Sequence, residues 1–205
     1  MVIAMKSKVI ENKKNKKNAL LKSAFELFLK KDIHEVTVQD ITKNANVAKG
    51  TFYLYFQDKY QIRDVLIQTE AKKLFESAQE ELEKNDIQDF EDSVIFIINQ
   101  VLLKLENNPI ILKFIKKNLS WGIFHERLQS SIEEDSLNMI AKFSASAIKN
   151  NYVIDRPDVV LNIIIEAAGS TCYNSILYNQ PLPIEELKPY LYKAIRAILS
   201  SYKCS

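Results

Sequence analysis

Apolar residues recur along most of the chain at the three- and four-residue spacing of amphipathic helices. Leu21, Ala24, Phe25 and Phe28 stand at positions i, i+3, i+4 and i+7 and form one apolar face of a first helix over about residues 14–31. The same spacing predicts eight more helices, over about residues 38–44, 48–56, 59–84, 90–106, 109–119, 132–150, 157–178 and 184–201. Residues 1–12 are expected to form a frayed, basic arm, and residues 120–131 have no clear assignment.

Few residues interrupt these periodic stretches. The 205 residues include only three glycines and five prolines, which are the strongest breakers of regular structure. The sequence therefore predicts an all-α protein with about nine helices.

The second and third predicted helices are short and are joined by a tight turn. Thr37-Val38-Gln39-Asp40 has the form of a capping box, in which Thr37 begins the second helix. Asn46 suits the left-handed conformation that a tight turn requires. Phe52 is expected to point into a small core. Two such helices in sequence are typical of a unit that places its second helix in a DNA major groove.

Charge is distributed unevenly along the chain. Residues 1–63 carry 13 Lys and Arg against 6 Asp and Glu, a net charge of +7, and residues 64–205 carry 15 against 20, a net charge of −5. A basic first third suits contact with a polyanion such as DNA. The lysines at 13–17 are equally compatible with a merely solvated segment.

Three segments together resemble the tetracycline-repressor-like (TetR) family of bacterial transcriptional regulators: AFELF, VTVQDI and NVAKGTFYLYFQDKYQI. The resemblance implies a three-helix helix-turn-helix domain over residues 1–60 and a helical ligand-binding and dimerisation bundle over residues 61–205. The chain departs from the family pattern at Asp32 and Asn46, where glycine is usual, and at Ala48, where serine is frequent. Asp32 and Asn46 can both adopt positive φ at modest cost, so the turns are expected to survive, and Ala48 removes a helix cap.

The resemblance also assigns contacts with double-stranded DNA. It implies phosphate contacts for Thr37, Thr51, Tyr55 and Lys59. Gln39, Lys49 and Tyr53 are the candidates nearest the base edges, and Gly50 leaves room for the helix to approach DNA closely. For Tyr53 the alternative is simple packing at the helix edge.

The family further implies a homodimer that reads a palindromic operator and a small-molecule effector that releases it. Helices eight and nine are the candidate interface, through Ala167, Ala168, Gly169, Ser170, Ile195, Ile198, Leu199 and Tyr202. The alternative is that the small residues pack helix eight inside its own subunit. An effector pocket is expected among helices five to eight, lined by aromatic and polar residues: Phe96, Asn99, Phe114, Trp121, Phe124, His125, Asn162, Glu166 and Tyr173.

Other classes of protein lack support in the sequence. The phosphate-binding loop, GxSxG and HExxH motifs are missing, and neither a cofactor nor a metal site is predicted. The two cysteines are too few for a disulfide framework, and no apolar run reaches 18 residues, so a cytoplasmic regulator is expected. Two alternatives stay open: a helical protein-interaction module, and a DNA-binding regulator that takes no ligand.

Overall fold

The computed structural model describes residues 2–118 and 133–204, with side chains over residues 10–115 and 139–204. Within this part of the chain all regular structure is α-helical, apart from one isolated bridge between Tyr152 and Lys203. The helices are α1 Val2–Lys30, α2 Val38–Asn44, α3 Lys49–Tyr53, α4 Lys59–Lys84, α5 Phe90–Glu106, α6 Pro109–Asn118, α7 Glu133–Lys149, α8 Pro157–Tyr178 and α9 Ile184–Ser200. The predicted all-α class is confirmed.

Two helices differ from their predicted bounds by more than one residue at an end. α1 begins at Val2 rather than near residue 14, so the stretch predicted as a frayed arm is helical from Val2 onward. This stretch contains neither Gly nor Pro to stop the helix. α3 ends at Tyr53, three residues before its predicted end, because the Leu54 amide turns back to the Thr51 carbonyl at 3.3 Å in a tightened last turn.

The backbone forms two compact units, Met1–Thr69 and Glu70–Ser205, whose boundary falls inside α4. The core of the first unit is built where α1, α2 and α3 pack together, and it buries Leu20, Ile41 and Phe52 completely. Full burial of side chains of this size stabilises the fold by roughly 1.5–3 kcal/mol each. These contacts fix the position of the short helices, which are too short to be stable alone.

The core of the second unit is built around α8 and α9. α8 buries one face, which includes Val160 and Ile164, and α9 contributes the regularly spaced Leu187, Leu191, Ile195 and Leu199. By length and composition alone α8 is apolar enough to cross a membrane. The buried core helix of a protein can have the same length and composition. α5 packs against α6, α8 and α9.

A carboxylate joins three parts of this unit. Glu91 of α5 accepts hydrogen bonds from the Tyr152 hydroxyl at 2.8 Å, the Ser200 hydroxyl at 2.8 Å and the Arg196 guanidinium at 3.4 Å. Burial favours a raised pKa for Glu91, but these donors outweigh it and hold the pKa below its usual value. Glu91 therefore contributes stability in its charged form.

Candidate nucleic-acid interface

The N-terminus of α2 is fixed by the predicted capping box. The Asp40 amide donates to the Thr37 hydroxyl oxygen at 3.1 Å, and the Thr37 amide donates to the Asp40 carboxylate at 2.9 Å. The Thr37 hydroxyl also donates to this carboxylate at 2.7 Å, and these bonds lower the pKa of Asp40. Thr37 and Gln39 are both exposed at this end of α2, where exposed helix N-termini favour anions.

The turn between α2 and α3 depends on one asparagine. Asn46 has a φ of 52°, as predicted from its place where the family usually has glycine. Asp32 does not share this conformation: the positive-φ non-glycine residues of the described chain are Asn46, Asn151 and Asn179. Asp32 instead accepts a hydrogen bond from the His34 amide at 3.0 Å. The turn at Asp32 is therefore formed without a positive φ, because the Asp32 side chain stabilises a different turn.

α3 presents one buried and one exposed face. Phe52 is fully buried, whereas Lys49, Gly50 and Tyr53 are exposed, with 55% of Tyr53 open to solvent. Tyr53 does rest edge-on against Phe52, with 5.4 Å between ring centroids, so one side of its ring packs and its other side stays available. Its two suggested roles, packing and base contact, are thus compatible.

Gly50 has an open environment. A Cβ atom placed on it would meet no atom within 4 Å. Neither the fold of its own unit nor a positive φ requires glycine here. The missing side chain therefore suits close approach by another molecule.

Thr51 and Tyr55 are half-buried at the side of α3. The Tyr55 ring lies 6.4 Å from that of Phe56, which is itself buried. Ala48 begins α3 without a side-chain hydrogen bond to the helix, as predicted from its lack of a hydroxyl. The helix that carries most of the candidate contacts is thus held by packing rather than by its cap.

Lys59 has a structural role that the sequence did not predict. Its ammonium group donates to the carbonyl of His34 at 3.1 Å and to that of Val36 at 3.0 Å. The start of α4 is thereby tied to the loop before α2, beside the capping Thr37. An ammonium group has three donors, so one N–H of Lys59 is left over for a phosphate.

Tyr60, Arg63 and His34 were not among the predicted site residues. The Tyr60 ring lies 5.5 Å from the Lys59 ammonium and 5.3 Å from the Arg63 guanidinium, and its hydroxyl lies 3.4 Å from His34 Nδ1. Arg63 is also paired with Asp64 at 2.6 Å, which offsets its charge. Only the contact across the fold reveals this cluster, because His34 is 26 residues from Tyr60.

Two short helices at a tight turn, with polar side chains and a bare glycine on the outer face, define a helix-turn-helix DNA-binding unit. Residues 20–66 match the sequence profile of "Bacterial regulatory proteins, tetR family". The match covers the helix-turn-helix segment, which is thus similar to that of the DNA-binding transcriptional regulators of this family.

The chain is also similar to other proteins, to some in sequence and to others in structure. An HTH-type transcriptional regulator of Staphylococcus aureus is 24% identical over 151 residues, which cover 74% of this chain and 76% of that protein. The HTH-type transcriptional regulator YdgC of Bacillus subtilis is 40% identical over 76 residues, or 36% of this chain and 37% of that one. The structure of FadR from Bacillus subtilis in complex with stearoyl-CoA superposes with a TM-score of 0.61 at 16% identity, covering 89% of this chain and 97% of that chain.

The predicted effector-pocket residues are only partly brought together. Phe96 and Asn99 lie in a cleft of about 570 Å³ between α5 and α9. Phe114 is buried, and Glu166 and Tyr173 are half-buried. Trp121, Phe124 and His125 lie outside the described residues. The Asn162 side-chain oxygen is buried and accepts no hydrogen bond from the residues that the structure describes.

Apolar and charged residues both line the cleft. Its lining is Ile87, Asp92, Ile95, Phe96, Asn99, Glu185, Lys188, Pro189 and Tyr192. The Tyr192 hydroxyl donates to Asn99 Oδ1 at 2.9 Å, and burial raises the pKa of Tyr192 to about 12. Burial favours neutral Lys188, but hydrogen bonds to Glu185 and to Glu106 at 3.2 Å outweigh it and raise its pKa.

The predicted interface residues divide between the two sides of their helices. Ala168, Ile195 and Leu199 are buried in the core of their own unit. Ala167, Ile198 and Tyr202 are half-buried, and Gly169 and Ser170 are exposed. A Cβ on Gly169 would meet no atom within 4 Å, so this glycine is not needed for packing within the described chain.

Proposed function

We propose that the protein is a ligand-responsive cytoplasmic repressor that binds a palindromic operator as a homodimer and is released by a small-molecule effector. The observation that carries the DNA-binding part is the exposed outer face of α3, with Lys49, Gly50 and Tyr53, held by a buried Phe52. Lys49 can reach the acceptors of guanine, and Gln39 of α2 can pair with adenine. Thr37, Thr51, Tyr55 and Lys59 anchor the helices on phosphates.

Selection of binding sequences from a random pool of duplex DNA tests this reading. A homodimer with two-fold symmetry should select a palindrome whose half-sites are centred about one helical turn apart. A reporter placed behind the selected operator should be silenced when the protein is expressed. A selected sequence without two-fold symmetry contradicts the homodimer, and a reporter that is switched on contradicts repression.

The dimer is supported by an uncovered face of α8. Val159 and Ile163 are 41% and 47% exposed although both are large apolar residues. They are four residues apart on a side of α8 turned by about 100° from the buried Val160 and Ile164, and small residues follow at Ala167 and Ser170. α9 packs against α8 and exposes Tyr190. Two such helices from each subunit would form a four-helix interface.

Ile163→Asp tests the interface without entering the protomer core. A charge on an apolar interface is costly to bury, so we expect this variant to be monomeric in light scattering at micromolar concentration. It should keep its helix content and lose operator affinity. Ile148→Asp provides the matched control, because Ile148 is 73% exposed on α7, outside the proposed interface. Dimeric Ile163→Asp protein would exclude this face.

The cleft between α5 and α9 is our candidate effector site. Its volume lies in the range of sites for small molecules, and its apolar wall with a few polar groups is typical of them. The Asn99 side chain accepts a hydrogen bond from Tyr192 through its oxygen and has two N–H donors on its nitrogen besides. Since α5 packs on α9, a ligand wedged between them would act on the proposed dimer helix.

An effector screen follows from the DNA assay. Compounds are tested for release of the selected operator, and stearoyl-CoA is included because the similar FadR structure contains it. Phe96→Ala and Asn99→Leu should weaken the response to a true effector without changing operator affinity in its absence. Release that is unaffected by both variants would place the effector elsewhere. If none of the compounds releases the operator, the result supports a regulator that takes no ligand. If the protein binds no DNA, the result supports the protein-interaction module.

A further inference from the structure

Leu54 is the most exposed large apolar side chain of the described residues, with 78% of its surface open to solvent. It directly follows α3 and has helical backbone angles, with φ −75° and ψ −19°. Its position on the helix is therefore defined by the helical repeat. An exposed leucine is common on protein surfaces, but this one lies on the helix that carries the candidate base contacts.

The side of the helix on which Leu54 lies follows from its separation from Phe52 in the sequence. Gly50 and Leu54 stand two residues before and two residues after Phe52, and two residues correspond to a rotation of about 200°. Both therefore lie almost opposite Phe52, which is fully buried in the core of its unit. The line from Gly50 to Leu54 is the outermost edge of α3. Lys49 and Tyr53 flank this edge on one side, and Thr51 flanks it on the other.

The chemistry of this edge is apolar and lacks donors or acceptors on its side chains. Gly50 offers only a bare backbone with open space around it, and Leu54 offers an isobutyl group. When a recognition helix enters a major groove, its outermost edge reaches deepest. The one apolar group that a base presents there is the C5-methyl of thymine.

We propose that Leu54 is a specificity-determining residue that contacts a thymine methyl group in each operator half-site, with Gly50 allowing the helix to come close enough. The inference rests on DNA binding by α3. It adds an apolar readout to the polar readout expected of Lys49 and Gln39, and it predicts a T·A pair at a fixed position in the half-site.

Replacement of thymine by uracil tests the contact directly. Deoxyuridine pairs with adenine but lacks the methyl group. The probe is the duplex that the wild-type protein selects from a random pool, with each thymine in turn replaced by deoxyuridine. For the wild-type protein we expect one position per half-site at which the affinity falls about fourfold, the value of one buried methyl group.

Leu54→Ala identifies the side chain responsible. At the sensitive position this variant should bind the thymine and uracil duplexes equally, because it has no isobutyl group to lose contact. Its unfolding midpoint should equal that of the wild type, since the side chain is exposed. Ile148→Ala is the matched control: Ile148 is 73% exposed but belongs to α7, so this variant should retain the full fourfold uracil effect.

Two results would overturn the inference while leaving the regulator intact. The first is a wild-type protein that binds specifically but is insensitive to uracil at every thymine. The second is a Leu54→Ala variant with the same uracil effect as the wild type, which would assign the methyl contact to another side chain. A protein that selects no sequence at all would contradict the regulator function itself, and the inference with it.

Discussion

Gly50→Ala separates the needs of the fold from those of DNA binding. An added Cβ meets no atom within 4 Å in the protein, and the backbone there does not have a positive φ. Alanine is also the better helix former, by at most about 1 kcal/mol, which for a chain of this size corresponds to roughly 2–4 °C in melting temperature. The variant should therefore be as stable as the wild type, or slightly more stable.

DNA affinity should change in the opposite direction. If Gly50 lies against the groove, the new methyl group overfills a close contact, which costs about 1–3 kcal/mol per subunit. With two subunits on one operator, binding should weaken about 30-fold to 20,000-fold. Thermal unfolding by circular dichroism and operator binding by fluorescence anisotropy measure the two effects on one sample. Gly169→Ala controls for helix stabilisation in general, with its dimer fraction measured alongside. Wild-type operator affinity in a stable Gly50→Ala protein would refute the close approach.

Three further substitutions test the N-terminal cap of α3, the hydrogen bonds of Lys59 and the carboxylate of Glu91. Ala48→Ser supplies the missing cap of α3 and should stabilise the protein by about 0.5–2 kcal/mol in urea unfolding, and no gain would show that the cap is satisfied otherwise. Lys59→Met removes two charge-assisted hydrogen bonds, each worth about 1.5–3 kcal/mol, and should lower both stability and the salt dependence of DNA binding; an unchanged salt slope would mean that Lys59 contacts no phosphate. Glu91→Gln should destabilise the protein at pH 7, because the folded-state pKa of Glu91 is below its unfolded value. Its contribution is present above the unfolded pKa and is lost as the pH falls through the folded one, so the two proteins should become equally stable in acid, and a difference that persists there would contradict the assignment.

The sequence predicted α4, α5 and α8 to the residue because their apolar spacing is long and their ends carry clear signals, such as Asp89 before α5 and Asn179 after α8. The positive φ of Asn46 was also predicted, because asparagine tolerates the left-handed conformation. The start of α1 was not predicted, since polar helix-forming residues carry no apolar period that marks where a helix begins.

The site was less predictable because it depends on contacts between distant residues. The clamp from Lys59 to the carbonyls of His34 and Val36 joins residues more than twenty positions apart, and no local pattern encodes it. The burial of Ile195 and Leu199 in the core of their own unit was equally unpredictable. An apolar stripe on a helix does not show whether its own chain or a partner covers it.

Binding to the DNA upstream of its own gene, titrated over a salt series, tests the central claim most directly. Regulators of this kind often control their own transcription. Tight, salt-sensitive binding that exceeds binding to a scrambled fragment by about a thousandfold is the predicted result, since that is the ratio expected of a sequence-reading protein. Absence of binding to either fragment at low salt would contradict the claim that α3 reads DNA.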